Sequence, residues 1–266
     1  MSILLLGHCV VQRRALQHGL LGGDGTLGDR AVGWLMFHHR LDLHLFYLLA
    51  VQGLLVIQVL TPTGCPAYVM AGGASSRFGS DKAFLDIQGE QLASRLTHQL
   101  SAKGHRTIFV GGNAARFRQL RIDMIPDAQA GLGPMVGILS ALRHRLVTGP
   151  GYCLILTCDL LCWKAEWFSL LSTRAMADDS AWAICFPRHS DDLLVEPDPF
   201  PGLYHTDAIA SLENEIQNSR RAMQAFLRKT GWLQADLGVE KPGDWTFNTQ
   251  EELNAVLDRF PDLHDS

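Results

Sequence analysis

The chain has 266 residues, of which 47% are hydrophobic and 19% charged, proportions that describe an ordinary globular protein long enough to bury a substantial core. Its formal net charge of -4, with Lys and Arg scattered among acids, argues against a nucleic-acid binder, because phosphate-backbone affinity needs clustered cations. The six cysteines include no C-x-x-C pair, which predicts reduced, buried thiols in a cytoplasmic protein and neither a disulfide framework nor a zinc site.

The first 63 residues differ in character from the rest of the chain. Residues 43–60, LHLFYLLAVQGLLVIQVL, form an uncharged run of eighteen, near the minimum for a membrane span. The alternatives are a membrane anchor, an amphipathic or disordered extension, and translated upstream sequence. We favour the last, because the next recognisable element begins at Pro66 and requires nothing before it. We therefore expect residues 1–63 to lie outside the fold, residues 64–266 to form one domain, and no association with a membrane.

Beyond this extension, strand-like apolar runs alternate with amphipathic segments. The strand-like runs are residues 66–71, 106–112 and 152–159. Residues 90–104 place Leu92, Leu96 and Leu100 on one helical face, and Pro134 stands where a second helix would begin. This order predicts an α/β fold with a doubly wound, mostly parallel sheet and helices on both faces. Ligands bind such sheets beyond the carboxyl ends of the strands.

The C-terminal half is less regular. The segment EPDPFPGLYH at 196–205 contains three prolines and is expected to interrupt regular structure. Helices are predicted around 207–217 and 219–229, followed by a terminal helix from about residue 249.

The stretch AGGASSRFGSDKAF, residues 71–84, is typical of a loop that binds an anion. Gly72 and Gly73 allow successive backbone N–H groups to point into one concavity, and Arg77 and Lys82 add positive charge. The spacing does not match the G-x-x-x-x-G-K-[ST] pattern of a Walker A loop. The alternative is a flexible turn with incidental charges.

Asp159 ends the apolar run YCLILTCD, and a carboxylate there is costly unless it is solvated, paired or bound to metal. An acid that faces a phosphate loop predicts Mg²⁺ between them, since Mg²⁺ is commonly held by carboxylates and substrate phosphates. The alternative role is a helix N-cap for the segment after Trp163. Asp127 ends a further strand-like stretch, IDMIPD at 122–127, and points to the same edge of the sheet.

The segment MAGGASSRFGSDKA resembles the signature of the molybdenum cofactor guanylyltransferase family, L-A-G-G-x-S-x-R-M-G-x-D-K-A. Further matches follow in family order. They are PD at 126–127, GPMVGILSAL at 133–142, CDL at 158–160, PGLYH at 201–205, RRAMQAFLRK at 220–229 and FNTQEEL at 247–253. The resemblance covers about residues 65–258 and implies a Rossmann-like nucleotidyltransferase fold.

The resemblance implies transfer of GMP from GTP to a molybdopterin-type molybdenum cofactor, with Mg²⁺, giving the guanine dinucleotide cofactor and pyrophosphate. Other proteins of molybdenum cofactor biosynthesis, or acceptor proteins, are implied partners. The implied nucleotide-binding residues are Met70, Ala71, Gly72, Gly73, Lys82, Asp127 and Asp159. The implied catalytic residues are Arg77, Lys82 and Asp159, of which Lys82 neutralises charge on the leaving pyrophosphate and Asp159 holds the metal.

The chain departs from the family pattern at three places. Gly111 and Gly112 stand where an asparagine is usual after the second strand, and in one interpretation Asn113 is that asparagine displaced by one or two positions. Thr246 replaces the first asparagine of N-x-N-T while Asn248 remains, and Leu161 replaces a proline. The alternatives are therefore a related nucleotidyltransferase that uses CTP or a sugar phosphate, and a non-catalytic GTP-binding homologue. The basic stretch at 220–229 receives the anionic pterin in one interpretation and is an exposed helix face in the other.

Overall fold

The computed structural model describes residues 61–72, 81–127, 133–178, 181–189, 195–236 and 241–259. The strands are β1 (Ala67–Met70), β2 (Asp86–Ile87), β3 (Glu90–Gln91), β4 (Thr107–Val110), β5 (Met124–Ile125), β6 (Tyr152–Thr157), β7 (Ala183–His189), β8 (Val195–His205) and β9 (Leu233–Gln234). The α-helices are α1 (Leu92–Ala102), α2 (Ala114–Gln119), α3 (Pro134–Val147), α4 (Ala165–Ala177), α5 (Ile209–Gln217), α6 (Met223–Thr230) and α7 (Gln250–Arg259). Short 3-10 helices occupy Pro62–Gly64, Lys82–Phe84, Thr206–Ala208 and Pro242–Trp245.

Seven strands form one sheet in the order β5-β4-β1-β6-β8-β7-β9, and β2 and β3 form a separate hairpin. Strand β1 pairs in parallel with β4 on one side and β6 on the other. Strand β8 is antiparallel to both of its neighbours, β6 and β7. The predicted α/β fold with a mostly parallel sheet is confirmed. Because the chain builds outward from β1 to β5 and then returns to β6, the strand order reverses between β1 and β6, where such sheets bind ligands.

Helices cover both faces of the sheet, as predicted. Helices α1, α4 and α7 contribute to the core on one face, and α3, α5 and α6 to the core on the other. The side chains of β1 alternate accordingly, with Ala67 and Val69 in the first core and Tyr68 and Met70 in the second. Burial on both faces explains why the central strands read as continuous apolar runs.

The predicted helix positions agree with the structure. Leu92, Leu96 and Leu100 are fully buried on the inner face of α1. Pro134 is the first residue of α3, where a missing backbone N–H costs nothing. The three C-terminal helices begin within a few residues of their predicted starts.

The segment 196–205 was expected to interrupt regular structure, but it belongs to the eleven-residue strand β8. The interruption is confined to its pairing with β7, in which residues 199–201 have no partner. Strand β6 pairs only with residues 202–205 of β8, so the earlier part of the strand is hydrogen-bonded on one side at most. The three prolines fall in that earlier part, where β8 is not hydrogen-bonded to a strand on each side, so a missing N–H is tolerated. They are Pro197, Pro199 and Pro201.

Five cysteines lie in the described ranges, and all are free thiols, as predicted. Burial raises the pKa of Cys65 and of Cys185 to about 12, which keeps both thiols protonated and unreactive. Within the same ranges no helix has both the length and the apolar character needed to cross a membrane. The apolar run at 43–60 lies outside the described residues.

His105 is a polar residue in the core beneath α4, with 2% of its surface exposed. Its Nδ1 donates a hydrogen bond to the Cys65 carbonyl at 2.9 Å, and its ring meets Phe168 edge-on with centroids 4.6 Å apart. Within the described ranges Nε2 has no hydrogen-bond partner. Burial lowers the pKa of His105, because the apolar surroundings disfavour the imidazolium ion.

We expect His105 to lower the free energy of unfolding as the pH falls from about 7 to about 5. The reason is that the unfolded chain takes up a proton on this histidine near pH 6.5, whereas the folded chain does not. His105→Asn should weaken this loss by up to about 1.4 kcal/mol per pH unit. Urea denaturation at several pH values measures it. The control Ser101→Asn changes an exposed residue of α1 that does not titrate and should retain the wild-type dependence. Parallel curves for the wild type and His105→Asn would contradict the assignment.

Candidate functional site

The carboxyl ends of β1 and β6 lie side by side at the reversal of strand order. Met70 ends β1, and its carbonyl accepts a hydrogen bond from the Cys158 N–H at 3.1 Å. The next N–H, that of Ala71, donates to the Val110 carbonyl at 2.9 Å. The backbone leaving β1 is thereby held between β4 and β6. The structure thus places Met70, Ala71 and Gly72 at the edge where a nucleotide was expected.

Gly111 packs directly against Gly72. Its φ of +75° is unfavourable for other residues, and a Cβ there would lie 3.0 Å from the Gly72 Cα. Asp127 completes the contact, with its Oδ2 3.4 Å from the position that a Cβ on Gly72 would occupy. The departure from asparagine at position 111 therefore has a steric reason. The same packing brings Asp127 to the predicted nucleotide loop.

Asn113, the asparagine nearest to the family position, caps a helix. Its Oδ1 accepts hydrogen bonds from the N–H groups of Ala115 and Arg116, at 3.1 and 3.2 Å. It is thus the N-cap of α2. This acceptor is therefore engaged by the helix.

Lys82 begins a short 3-10 helix that Asp81 caps by accepting a hydrogen bond from the Ala83 N–H at 3.2 Å. The Lys82 Nζ donates to the Phe247 carbonyl at 3.0 Å and to the Asn248 Oδ1 at 3.2 Å. The predicted phosphate-binding cation is therefore anchored to a segment far along the chain. Asn248, which the chain retains from the family motif, is one of its two anchors.

Asp159 lies just beyond β6 and is tied to that same segment. Its carbonyl accepts a hydrogen bond from the Phe247 N–H at 3.1 Å, and Leu160 forms an antiparallel bridge with Thr246. The Asp159 Oδ1 accepts a hydrogen bond from the Thr157 Oγ1 at 2.5 Å. Lys82 and Asp159 are thus both hydrogen-bonded to the same short segment, Phe247 and Asn248.

Burial raises the pKa of Asp159, since removal of water disfavours the carboxylate. The Thr157 hydrogen bond and the charge of Lys82 oppose this shift, while the Glu252 charge adds to it. The alternative role as a helix N-cap is wrong. Helix α4 begins at Ala165, and Lys164 occupies its N-cap position.

Thr246, which replaces a family asparagine, turns back on its own 3-10 helix. Its Oγ1 donates to the Gly243 carbonyl at 3.0 Å. The hydroxyl is therefore used locally, and Asn248 provides the polar contact to Lys82.

The sequence analysis missed Asp198, a half-buried acid in β8. Burial raises the pKa of Asp198, and the charge of Asp159 contributes to the rise. An acid between two prolines, P-D-P, was the only available signal, and it does not by itself indicate proximity to Asp159.

Two predicted site residues, Gly73 and Arg77, lie outside the described residues, so their roles stay predictions.

The cations at 220–229 are largely engaged in ion pairs. Arg220 and Lys229 both contact Glu215, at 3.4 and 2.5 Å, and Arg228 pairs with Glu196. These pairs favour the interpretation of this stretch as an exposed helix face, because its charges are balanced by neighbouring acids.

The oxygen donors at this edge suit a hard divalent cation. Asp159 offers a carboxylate whose burial is costly without a compensating positive charge. Within the described ranges no cluster of three or more His, Cys, Asp and Glu side chains could form a metal cage. A metal here would therefore take its remaining ligands from substrate phosphates and water, as Mg²⁺ commonly does.

A family model described as the MobA-like NTP transferase domain matches residues 67–235. The probable molybdenum cofactor guanylyltransferase of Opitutus terrae is 29% identical over 160 residues, covering 60% of this chain and 75% of that protein. The enzyme of the same name from Syntrophotalea carbinolica is 24% identical over 203 residues, covering 74% and 92%. The probable enzyme of Deinococcus radiodurans is 31% identical over 159 residues, covering 59% and 76%.

Solved structures share the fold. Molybdopterin-guanine dinucleotide biosynthesis protein A from Archaeoglobus fulgidus is 22% identical, with a TM-score of 0.59 over 74% of this chain and 99% of that one. The 4-diphosphocytidyl-2C-methyl-D-erythritolsynthase of Anaerococcus prevotii is 12% identical, with a TM-score of 0.56 over 74% and 96%. At these identities the similarity establishes the architecture alone.

The contact between Gly111 and Gly72 is testable by substitution. Gly111→Ala combines a positive φ with a backbone clash, so we expect it to cost about 3 kcal/mol of unfolding free energy or more. Gly89→Ala is a matched control, since Gly89 has a φ of +90° and nothing lies within 4 Å of the place where its Cβ would be. It should cost only about 1 kcal/mol. Urea denaturation measures both, and equal losses would show that the close approach is unimportant.

Proposed function

The chain belongs to the MobA-like NTP transferase family, and on that premise we propose that it transfers GMP from GTP to a molybdopterin-type molybdenum cofactor. The products are the guanine dinucleotide form of that cofactor and pyrophosphate. One observation carries the proposal: Lys82 and Asp159 are both hydrogen-bonded to the segment formed by Phe247 and Asn248. The molybdenum cofactor guanylyltransferase names of its relatives support the choice of substrates.

In this proposal the nucleotide lies along residues 70–73. The backbone there leaves a buried strand at the ligand-binding edge, and Asp127 packs against Gly72 within reach of the same ligand. Arg77 and Lys82 bind the phosphates, Arg77 as a planar fork and Lys82 as a point charge.

The reaction joins a terminal phosphate oxygen of the molybdopterin substrate to the α-phosphorus of GTP and breaks the bond from that phosphorus to the bridging oxygen. Pyrophosphate leaves with the electron pair. No protein nucleophile is required, because positioning and electrostatic stabilisation can accelerate phosphoryl-type transfer. A divalent metal ion, in our proposal Mg²⁺, would be held by Asp159 and supply positive charge to the phosphates.

Lys82 contributes by being in place before the substrate arrives. Its hydrogen bonds to the Phe247 carbonyl and the Asn248 Oδ1 fix the ammonium group, so little reorganisation is needed as negative charge develops on the leaving pyrophosphate.

We also propose that residues 1–63 lie outside the catalytic domain and that the protein acts in the cytoplasm. The family match begins at residue 67, and β1 supplies the centre of the sheet from that point onward.

Lys82→Met and Asp159→Asn should each lower turnover by about 100-fold to 1,000-fold, because each removes charge stabilisation that matters most in the transition state. The measurement is pyrophosphate release from GTP, Mg²⁺ and the molybdopterin substrate. Lys103→Met, at an exposed position after α1, is the matched control and should retain wild-type turnover. Near-wild-type rates for Lys82→Met or Asp159→Asn would overturn the site assignment.

The same assay distinguishes the remaining alternatives. Faster release from CTP than from GTP would favour the related nucleotidyltransferase. GTP binding without any pyrophosphate release would favour the non-catalytic homologue.

A protein that begins at Thr61 should fold and retain the activity of the full chain, because the family match and the sheet both start after that residue. Circular dichroism and the pyrophosphate assay measure the two properties. Loss of folding on this truncation would show that the extension belongs to the domain.

A further inference from the structure

A cavity lies where β1 and β4 begin, at the opposite edge of the sheet from the proposed nucleotide site. Its volume is about 620 Å³, within the range of small-molecule sites. The segment before β1, the first residues of β1 and β4 and the end of α3 form its walls. We call it the amino-edge cavity, and its polar lining includes Thr63, Tyr68, Arg106, His144, Arg145 and Thr148.

The lining of the amino-edge cavity is basic and rich in hydroxyl groups. Arg106 and Arg145 contribute positive charge, and Thr63, Tyr68 and Thr148 contribute hydroxyls. The described residues that line the cavity include neither Asp nor Glu. Such a surface attracts an anion and offers no carboxylate to a metal ion.

Arg145 is a buried cation in the wall of this cavity, with 7% of its surface exposed. Its Nε donates to the Tyr152 carbonyl at 3.3 Å, and its Nη1 donates to the Gly149 carbonyl at 2.7 Å and the Thr148 Oγ1 at 2.9 Å. In the described part of the chain these acceptors are neutral, and Nη2 donates no hydrogen bond although protein atoms do not enclose it. A buried charge is costly without a counter-charge, which a bound anion would supply.

Arg106 supplies a second cation from a different element. Its Nε and Nη2 donate to the Asp123 Oδ2 at 3.3 and 3.0 Å. The two side chains are 62% and 60% exposed, so solvent screens their attraction and the pair is weak. Within the described ranges Nη1 donates no hydrogen bond, which leaves part of the guanidinium group for a ligand.

The end of α3 does not prevent an anion from binding here, although helix C-termini carry partial negative charge. The Thr148 N–H and Oγ1 both donate to the Arg145 carbonyl, at 3.1 and 2.9 Å. The Gly149 N–H donates to the Leu146 carbonyl at 3.0 Å, and the Gly149 carbonyl accepts from the Arg145 side chain. Carbonyl groups of the last turn are thus occupied, and the full charge of the guanidinium group exceeds their partial charge.

The hydrogen-bond donors of the cavity come from three separate elements. Thr63 precedes β1, Arg106 precedes β4, and His144 and Arg145 lie near the end of α3. A 2.8 Å hydrogen bond between the Tyr68 hydroxyl and the His144 Nδ1 orients that ring and leaves Nε2 for a ligand. A tetrahedral phosphate group accepts hydrogen bonds from several sides, whereas a carboxylate has two oxygens in one plane. The arrangement therefore favours a phosphate group.

We propose that the amino-edge cavity binds a small phosphorylated molecule, and that Arg145 and Arg106 hold its phosphate group. The cavity is larger than a phosphate ion, and Pro66 and Ile108 give its wall apolar surface for the rest of the ligand. The site lies at the other end of the parallel strands from Lys82 and Asp159. It is therefore a second binding site, and it does not rest on the proposed function.

Calorimetric titration of inorganic phosphate into the full chain tests the site. Arg106→Gln should weaken binding about tenfold, because it removes a hydrogen bond to a charged group. Arg143→Gln is the matched control, since Arg143 donates to Glu213 through the same two groups, at 3.3 and 2.9 Å, but does not line the cavity. It should bind phosphate as the wild type does. Unchanged affinity in Arg106→Gln, or a wild type that binds no phosphate at millimolar concentrations, would overturn the inference.

Two further titrations locate the anion and define its class. Lys82→Met removes the cation proposed to bind the nucleotide phosphates and should still bind inorganic phosphate in the amino-edge cavity. Loss of all phosphate binding in this variant would place the anion at the nucleotide edge and contradict the inference. Acetate at equal ionic strength should bind the wild type at least about tenfold more weakly than phosphate does. Equal affinities would contradict the choice of a phosphate group.

Thermal unfolding distinguishes ligand binding from a structural role of Arg106. Arg106→Gln and Arg143→Gln each remove one exposed ion pair, so without phosphate both should unfold close to the wild-type temperature. Added phosphate should raise the unfolding temperature of the wild type and of Arg143→Gln more than that of Arg106→Gln. Equal increases in the two variants would show that Arg106 does not hold the anion.

The two proposals fail independently. Phosphate binding that depends on Arg106, in a protein that releases no pyrophosphate, would contradict the proposed function and leave the second site intact. Pyrophosphate release with unchanged phosphate affinity in Arg106→Gln would do the reverse.

Discussion

The candidate site depends on a short backbone pairing between two segments that are distant in the sequence. The Leu161 N–H donates to the Trp245 carbonyl at 2.8 Å, and the Phe247 N–H donates to the Asp159 carbonyl at 3.1 Å. This pairing holds Asp159, just beyond β6, next to the segment that anchors Lys82. Trp245 and Phe247 are buried, so their apolar burial supports the pairing and fixes the polar groups at its edge.

The sheet explains why this pairing lies where it does. The strand order reverses between β1 and β6, and the polar groups of the site lie at the carboxyl ends of these strands, where sheets of this kind bind ligands. Asp127 and Gly72 are held together by the close approach of Gly111, while Asp159 and Lys82 are held by the C-terminal segment. Opposite charges thus converge from separate parts of the fold, which suits a ligand that carries several phosphates and a cation.

Much of this arrangement could be predicted from local pattern. The runs around β1 and β6, the position of Pro134 and the acid at 159 are each visible within a few residues, because burial on both faces and helix starts leave local signatures. The contacts of Lys82 could not be predicted, since its partner Asn248 is 166 positions away. Asp198 was missed for a similar reason, because its location follows from a register shift that depends on the pairing of β7 and β8. The three prolines of β8 indicated the break in its pairing at 199–201, but propensity could not show that the strand continues past it, because propensity ignores which side of a strand is paired.

The long-range anchor of Lys82 has a consequence for how the protein matures during synthesis. The loop after β1 and the lysine itself leave the ribosome early, whereas Phe247 and Asn248 are among the last described residues to be made. A nascent chain can therefore assemble the central parallel strands before the ammonium group has its acceptors, as domains tend to gain structure in order of emergence. The anchor of Lys82 can therefore form only after residue 248 has been made, when most of the described scaffold already exists.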